Sequence, residues 1–241
     1  GGDAFNSVPS NIVVPYDKEL AETLKKLNYE FKEFGENIEV VGKSVHAQIA
    51  EEGINAINRY LHALEVMGKH SKAGKFVVDN LIGHKFAEPI FGKVADEHSG
   101  ELKFNLGKIE FNKDNEILCI DMRIPVTYDV NDIVDALSKK AKEYGLEYSK
   151  YDFLKSIYVP LDSELVTTLM SAYQEVTGDM KSTPIASGGA TYARAINNCV
   201  AFGCVIPGSP KTEHQPNEYI IVEEIKKAIK IYIAAFEKFN K

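Results

Sequence analysis

The 241-residue sequence lacks the features that mark several classes of protein. It has no apolar run near the roughly 20 residues that a bilayer-spanning helix needs, and its opening residues show neither the basic nor the apolar region of a signal peptide. Positive charge is not in excess, because 28 Lys and Arg against 35 Asp and Glu give a formal net charge of −7. Such a balance repels phosphate backbones. We therefore expect no membrane association and no nucleic-acid partner.

Cysteine is also scarce. The three residues cannot all pair, and Cys119, Cys199 and Cys204 lie in apolar, strand-like stretches, which is typical of reduced core residues in a cytosolic protein. The short zinc motifs HExxH and Cys-x-x-Cys are absent, so no single motif supplies a complete metal site. With 44% hydrophobic and 26% charged residues, the composition is that of an ordinary globular protein. The sequence predicts a folded cytoplasmic protein.

The order of the predicted elements indicates two parts of unequal size. Up to Pro160, the series strand–helix–strand–helix, hairpin, helix–strand predicts an α+β fold, an antiparallel sheet with helices on one face. After Pro160, helices alternate with a single apolar strand, a pattern of α/β packing that is too short for a complete sheet. We expect one domain at 1–160 and a second at 161–241.

Hydrophobic periodicity and turn residues set the expected bounds of the elements. Helices are expected at 17–35, 53–67, 76–82, 129–144, 162–177 and 222–239. Strands are expected at 4–16, 38–45, 102–111, 117–126, 147–159 and 199–205. The alternation slips at Gly107, which is the sign of a β-bulge.

Two histidines are candidates for chemistry, and each has an ordinary alternative. His46 follows a predicted strand, and a histidine at such a position is in most cases a surface residue. His214 lies in a polar loop between Glu213 and Glu218, and an imidazole beside carboxylates suits a zinc ligand. The alternative for His214 is a plain turn built by Pro216.

Arg123 interrupts an apolar strand two residues after Asp121. Its functional use would be bidentate recognition of a carboxylate, and the alternative is a structural pair with Asp121. The turn at 187–191 precedes a short predicted helix and could present backbone N–H groups to an anion or a carbonyl oxygen. The alternative for this segment is a tight turn without function.

Three segments, in order, carry a resemblance to a known family. They are residues 1–9 (GGDAFNSVP), residues 42–56 (GKSVHA followed by EGINA) and residues 187–218, which contain SGGATYAR, VAFG and EHQPNE. Together they resemble the bacterial di-zinc dipeptidases of the peptidase V and carnosinase type, among the aminoacylase- and carboxypeptidase-like metallopeptidases. The resemblance runs the length of the chain and is most specific in the third segment.

The resemblance implies a role for each matching residue. His46 would stabilise the oxyanion that forms when water attacks the scissile carbonyl, and His214 would be the terminal zinc ligand. Asn6 and Arg123 would bind the substrate, with Arg123 gripping the free carboxylate of a dipeptide. The family has a third glycine where Ala190 stands. The residues that would contact the substrate through their backbone are Gly188, Gly189 and Ala190.

The resemblance also implies a fold and partners. Residues 1–160 would be an enlarged ferredoxin-like lid, through which a homodimer could form, and 161–241 would be the C-terminal segment of the catalytic domain. The whole enzyme would hydrolyse dipeptides with water activated by two zinc ions. The motifs of the family's N-terminal catalytic half are absent, so we expect an inactive fragment that binds zinc weakly at most and has that half as its partner. The alternative is a stand-alone, non-catalytic α+β interaction or ligand-binding module.

Overall fold

The computed structural model describes residues 1–112, 115–186, 191–203, 205–210, 212 and 217–240. The chain divides into two units, Gly1–Phe153 and Leu154–Lys241. This division falls shortly before the boundary at 160 that the sequence predicts. The assignment of the two units to a lid and to part of a catalytic domain stays a prediction.

Unit 1 mixes short strands with helices, an α+β fold as predicted. Its strands are β1 Asn11–Pro15, β2 Phe31–Phe34, β3 Asn37–Val41, β4 Ala95–Asp96, β5 Gly100–Glu101, β6 Lys103–Phe111 and β7 Glu116–Arg123. Its helices are α1 Lys18–Lys26, α2 Ala56–Val66, α3 Lys72–Leu81, α4 Glu88–Phe91 and α5 Val130–Glu143, with a 3₁₀ segment at Ala47–Glu52.

The strands of unit 1 are antiparallel but do not form the single sheet that was expected. Within the described residues they make a three-stranded sheet in the order β1-β3-β2 and two ribbons, β4-β5 and β6-β7. The register of the β6-β7 ribbon shifts between Leu106 and Lys108. Gly107 is therefore the bulge that the sequence predicted.

Helix α2 lies at the centre of the core and contacts β1, β3 and β6. Its Ile57 and Leu61 are fully buried and share one hydrophobic cluster with Ile38 of β3 and Leu106 of β6. Burial of each such side chain stabilises the fold by about 1.5–3 kcal/mol. Because this core covers one face of the β6-β7 ribbon, the other face is left to polar residues.

The structure also differs from the sequence prediction at 17–35 and at 147–159. The helix that begins after Asp17 ends at Lys26, because Asn28 adopts a positive φ of 55° and Phe31 then pairs with Val40 in the sheet. Asp17, the first residue of the predicted helix, is its N-cap. Residues 147–159 are all described and form no strand, since no neighbouring strand offers them backbone hydrogen bonds.

Unit 2 contains helix α6 (Glu164–Thr177), a 3₁₀ turn at Tyr192–Ala195 and helix α7 (Val222–Phe239). The two helices pack through Ala172, Ala234 and Ala235. The predicted strand at 199–205 is wrong for the residues that are described there, 199–203 and 205, which lie in no sheet. Among the described residues the C-terminal part is therefore helical and not an α/β layer.

Two expectations from composition can be compared with the structure. None of the helices in the described ranges combines the length and the apolar character needed to cross a bilayer. Cys119 and Cys199 are free thiols, as predicted, but they are half-buried and not part of the core. Cys204 lies outside the described residues.

Candidate functional site

One face of the β6-β7 ribbon is polar. Side chains alternate along a strand, so Lys103 and Asn105 of β6 share a face with the residues opposite them on β7, Arg123 and Asp121. The other face carries the apolar residues that enter the core. These four residues are called the polar face below.

The N-terminal segment crosses the polar face at the bulge. A Cβ atom at Gly107 would lie 2.5 Å from the carbonyl oxygen of Phe5 and 2.7 Å from that of Ala4, so only glycine lets the backbones approach this closely. Gly1 and Ile109 exchange two backbone hydrogen bonds of 2.9 Å. The first segment of the family resemblance is thereby fixed on β6.

Asn105 holds the same segment through its side chain. Its Nδ2 donates to the carbonyl oxygens of Phe5 at 2.8 Å and of Ser7 at 2.9 Å. Asn6, the residue between them, is exposed. The backbone is thus held on both sides of a predicted substrate-binding residue.

The second resemblance segment is closed by a glycine. A Cβ atom at Gly42 would lie 2.2 Å from the carbonyl oxygen of Ile54 and 2.9 Å from the backbone of Pro9 and Ala56. Lys43 and Ile54 pair as an antiparallel bridge beside it. Because the glycine permits this contact, the GKSVHA and EGINA parts of the motif form the two ends of one loop.

The backbone places His46 opposite Ser7, the residue after Asn6. The N–H of Ala47 donates to the carbonyl oxygen of Asn6 at 2.9 Å, and the N–H of Val8 donates to that of Val45 at 2.9 Å. The two segments therefore pair antiparallel, with Ser7 opposite His46 and Asn6 opposite Ala47.

The imidazole of His46 has a defined hydrogen-bond pattern. It is exposed and caps the 3₁₀ segment, with Nδ1 accepting from the backbone N–H of Gln48 at 3.2 Å. A nitrogen that accepts carries no proton, so in the neutral ring the proton is on Nε2. His46 therefore offers an N–H donor to solvent or to a ligand.

The 3₁₀ segment after His46 is attached to the polar face. Glu51 forms an ion pair with Lys103, whose ammonium also lies 4.9 Å from the centre of the Phe86 ring. Lys103 and Arg123 are opposite each other on the ribbon, where like charges repel. Each has a carboxylate of its own, Glu51 or Asp121, which offsets the repulsion.

Arg123 is paired with Asp121. Its Nε lies 2.8 Å from Oδ1, and its Nη2 donates to Oδ2 at 3.0 Å. Asp121 therefore contacts the edge of the guanidinium formed by Nε and Nη2, as the structural alternative in the sequence analysis anticipated. A role in gripping substrate stays a prediction.

The remaining predicted site residues are not part of this arrangement as described. His214 and the turn residues Gly188, Gly189 and Ala190 lie outside the described residues. The part of the chain that is described contains no group of three His, Cys, Asp or Glu side chains that could hold a metal ion. The described residues alone do not make up a zinc site, which needs at least three protein ligands.

Sequence reasoning singled out neither Asn105 nor His62. Asn105 occupies a polar position in an alternating strand, which is also the pattern of a solvent-facing residue. His62, which is not among the predicted site residues, is half-buried with Nδ1 2.7 Å from the hydroxyl of Tyr29. Burial lowers the pKa of His62 and raises that of Tyr29.

The chain belongs to the peptidase family M20/M25/M40, whose model matches residues 20–238. This membership confirms the resemblance drawn from the three segments.

Similar proteins come from staphylococci. A Staphylococcus epidermidis protein named "Putative dipeptidase" is 32% identical over 200 residues, which cover 81% of this chain and 42% of that protein. A putative dipeptidase from Staphylococcus haemolyticus is 31% identical over 198 residues, which cover 80% of this chain and 42% of that protein. A putative dipeptidase from Staphylococcus aureus strain USA300 is 30% identical over 200 residues, which cover 81% of this chain and 42% of that protein. The chain thus spans less than half the length of these curated relatives.

Proposed function

We propose that the chain carries the substrate-binding part of a zinc-dependent dipeptidase, in which Asn6, His46 and Arg123 hold a dipeptide at the polar face. The observation that supports this most is the backbone pairing that holds the segment containing Asn6 against the segment containing His46. The peptidase family and the names of the relatives support the reaction class.

His46 and Arg123 would act on opposite ends of the substrate. The Nε2–H of His46 would donate to the oxygen of the scissile carbonyl, where negative charge develops in the transition state. Arg123 would bind the C-terminal carboxylate through the edge formed by Nη1 and Nη2, while Asp121 holds the edge formed by Nε and Nη2. A planar guanidinium suits such a double contact because both of its edges can donate two parallel hydrogen bonds.

The proposal has a second part, that more polypeptide completes the enzyme. The surface of helix α7 supports it. Ile225, Ile229, Ile233 and Phe236 recur at helical spacing and are between 38% and 69% exposed. An apolar stripe of this kind marks a surface that another element covers. We propose that the N-terminal half of the catalytic domain covers it, and that this chain alone is inactive.

Zinc belongs to the whole enzyme in this proposal and would supply activated water for the attack. His214 is the ligand proposed from this chain. The roles proposed for Asn6, His46 and Arg123 do not depend on how the metal is held. Free thiols at Cys119 and Cys199 are in keeping with a cytoplasmic enzyme.

The test is a comparison of two substrates in the whole enzyme. Arg123→Lys removes the planar fork but keeps the charge, and we expect kcat/KM for free dipeptides to fall by roughly 10–100-fold, the worth of a charge-assisted hydrogen bond. Dipeptides with an amidated C-terminus lack the carboxylate, so they should already be poor substrates of the unchanged enzyme. Arg123→Lys should lower their kcat/KM only slightly further.

Asp121→Asn is the matched control, since it disturbs the pair without touching the guanidinium. If Arg123 serves only that pair, both substitutions will lower stability and will lower kcat/KM for the two substrates by equal factors. Equal losses of kcat/KM for free and amidated dipeptides would refute the carboxylate role. They would leave Arg123 with the structural pair alone.

A further inference from the structure

Asn105 of β6 is buried against the backbone of the N-terminal segment. This asparagine is 2% exposed, and the two hydrogens of its amide nitrogen are directed to the carbonyl oxygens of Phe5 and Ser7. Those carbonyls are the ones on either side of Asn6. The contact is therefore with the backbone of the segment that crosses the polar face.

The chemistry of the contact restricts the residue type. Two carbonyl oxygens within reach of one side-chain atom need two donors on that atom, and at this chain length only the amide nitrogen of asparagine supplies them. An aspartate of the same shape would place a carboxylate against two carbonyls. The remaining oxygen, Oδ1, is buried and accepts no hydrogen bond from any residue that the structure describes, so the fold tolerates an unpartnered acceptor to keep these two donors.

The effect of Asn105 extends to His46 through the backbone. The segment 5–8 that Asn105 fixes is the one whose Asn6 carbonyl accepts from Ala47 and whose Val8 N–H donates to Val45. If the segment moves away from β6, both bonds that align His46 are lost with it.

We propose that Asn105 is a positioning residue that sets the distance and orientation between the segment 5–8, which contains Asn6, and His46. It acts through the backbone of that segment. The functional meaning of this geometry rests on the proposed function, in which Asn6 and His46 bind the substrate.

The test follows individual backbone amides by hydrogen exchange in the 241-residue chain. Asn105→Asp removes both donors at constant shape, and Asn105→Ser removes the reach of the side chain without burying a charge. For either variant we expect the amides of Val8 and Ala47 to exchange at least tenfold faster, relative to amides of helix α2. The ring nitrogen signals of His46 should change as its local environment loosens.

Asn80 provides the matched control. It is 1% exposed, and its Nδ2 donates to the carbonyl oxygen of Phe76 at 2.8 Å within helix α3, away from the segment 5–8. Asn80→Asp and Asn80→Ser should lower the midpoint of thermal unfolding but leave Val8 and Ala47 as protected, relative to α2, as in the unchanged chain.

Two results would overturn the positioning role. One is unchanged relative protection of Val8 and Ala47 in both Asn105 variants, and the other is an equal loss in the Asn80 variants. Should Asn105→Asp fail to fold, Asn105→Ser decides the question. Because these measurements read geometry and not hydrolysis, they can fail while the substrate comparison for Arg123 succeeds, and the reverse.

Discussion

Asp96 offers the most direct test of how unit 1 is held together. Its Oδ1 accepts from the backbone N–H groups of His98 and Ser99 and from the Ser99 hydroxyl at 2.5–3.0 Å. Its Oδ2 accepts from the backbone and hydroxyl of Thr127, both at 3.1 Å. One carboxylate thereby joins the β4-β5 turn to the loop that leads into α5.

Burial of Asp96 raises its pKa, but the backbone and hydroxyl hydrogen bonds from Ser99 and Thr127 outweigh it and lower the pKa from 3.8 to about 2. At about 1.4 kcal/mol per pKa unit, this shift is worth roughly 2.4 kcal/mol at neutral pH. The carboxylate is only partly shielded from solvent, which reduces the expected contribution to about 1–2 kcal/mol.

The sign follows from linkage. A carboxyl whose pKa is lower in the folded state stabilises that state fully above the unfolded value of 3.8, and the contribution is lost as the pH falls through about 2. Asp96→Asn should therefore lower the free energy of unfolding of unit 1 by about 1–2 kcal/mol at pH 6. At pH 3, roughly half of that difference should have disappeared.

The assay is urea unfolding at both pH values, followed by amide signals of unit 1, because the chain has no tryptophan and the two units can unfold separately. Asp135→Asn, at an exposed position of α5, controls for the loss of one negative charge. The reasoning would be refuted if Asp96→Asn lowered the free energy of unfolding by the same amount at pH 6 and at pH 3. It would also be refuted if the free energy of unfolding did not change at pH 6.

Two further predictions concern the site and the division of the chain. In the whole enzyme, His46→Ala should lower kcat by roughly 10²–10³ with a smaller effect on KM, because a donor to the oxyanion acts mainly in the transition state. A nearly normal kcat would instead make His46 an ordinary surface histidine. Limited proteolysis of the chain should cut first within 149–160, where exposed residues such as Tyr151 lie in no helix or strand, and release a stable unit 1. Early cleavage within 17–126 would contradict that division.

Helices were the part of the fold that local sequence signals predicted well. Helix α7 has the predicted bounds, 222–239, and α1 and α5 begin one residue after Asp17 and Asp129, the predicted starts of these helices. A cap and an apolar stripe are local properties, so a single sequence contains them. The end of α1 was missed, because Leu24, Leu27 and Phe31 continue the helical spacing although Phe31 already belongs to β2.

Strands were predicted less well, for a physical reason. A strand exists only where another strand accepts and donates its backbone hydrogen bonds. Segments 147–159 and 199–205 have the composition of strands, but the described parts of both lie in no sheet. β6 and β7 lie close together in the sequence and pair with each other, so the prediction succeeds, including the bulge at Gly107.

The candidate site shows the same limit at the level of single residues. His46, Asn6 and Arg123 could be selected from the motifs around them, but the motifs do not say which backbones meet. The sequence shows glycine at positions 42 and 107 but not the reason for it. Only the structure shows that Gly42 and Gly107 each leave room for a carbonyl oxygen of the 1–10 segment. Once that segment lies across β6, the polar position of Asn105 is buried and its amide has two acceptors. A polar residue in an alternating strand either faces solvent or is covered by other polar groups. For Asn105 the outcome depends on a segment about 100 residues earlier in the chain.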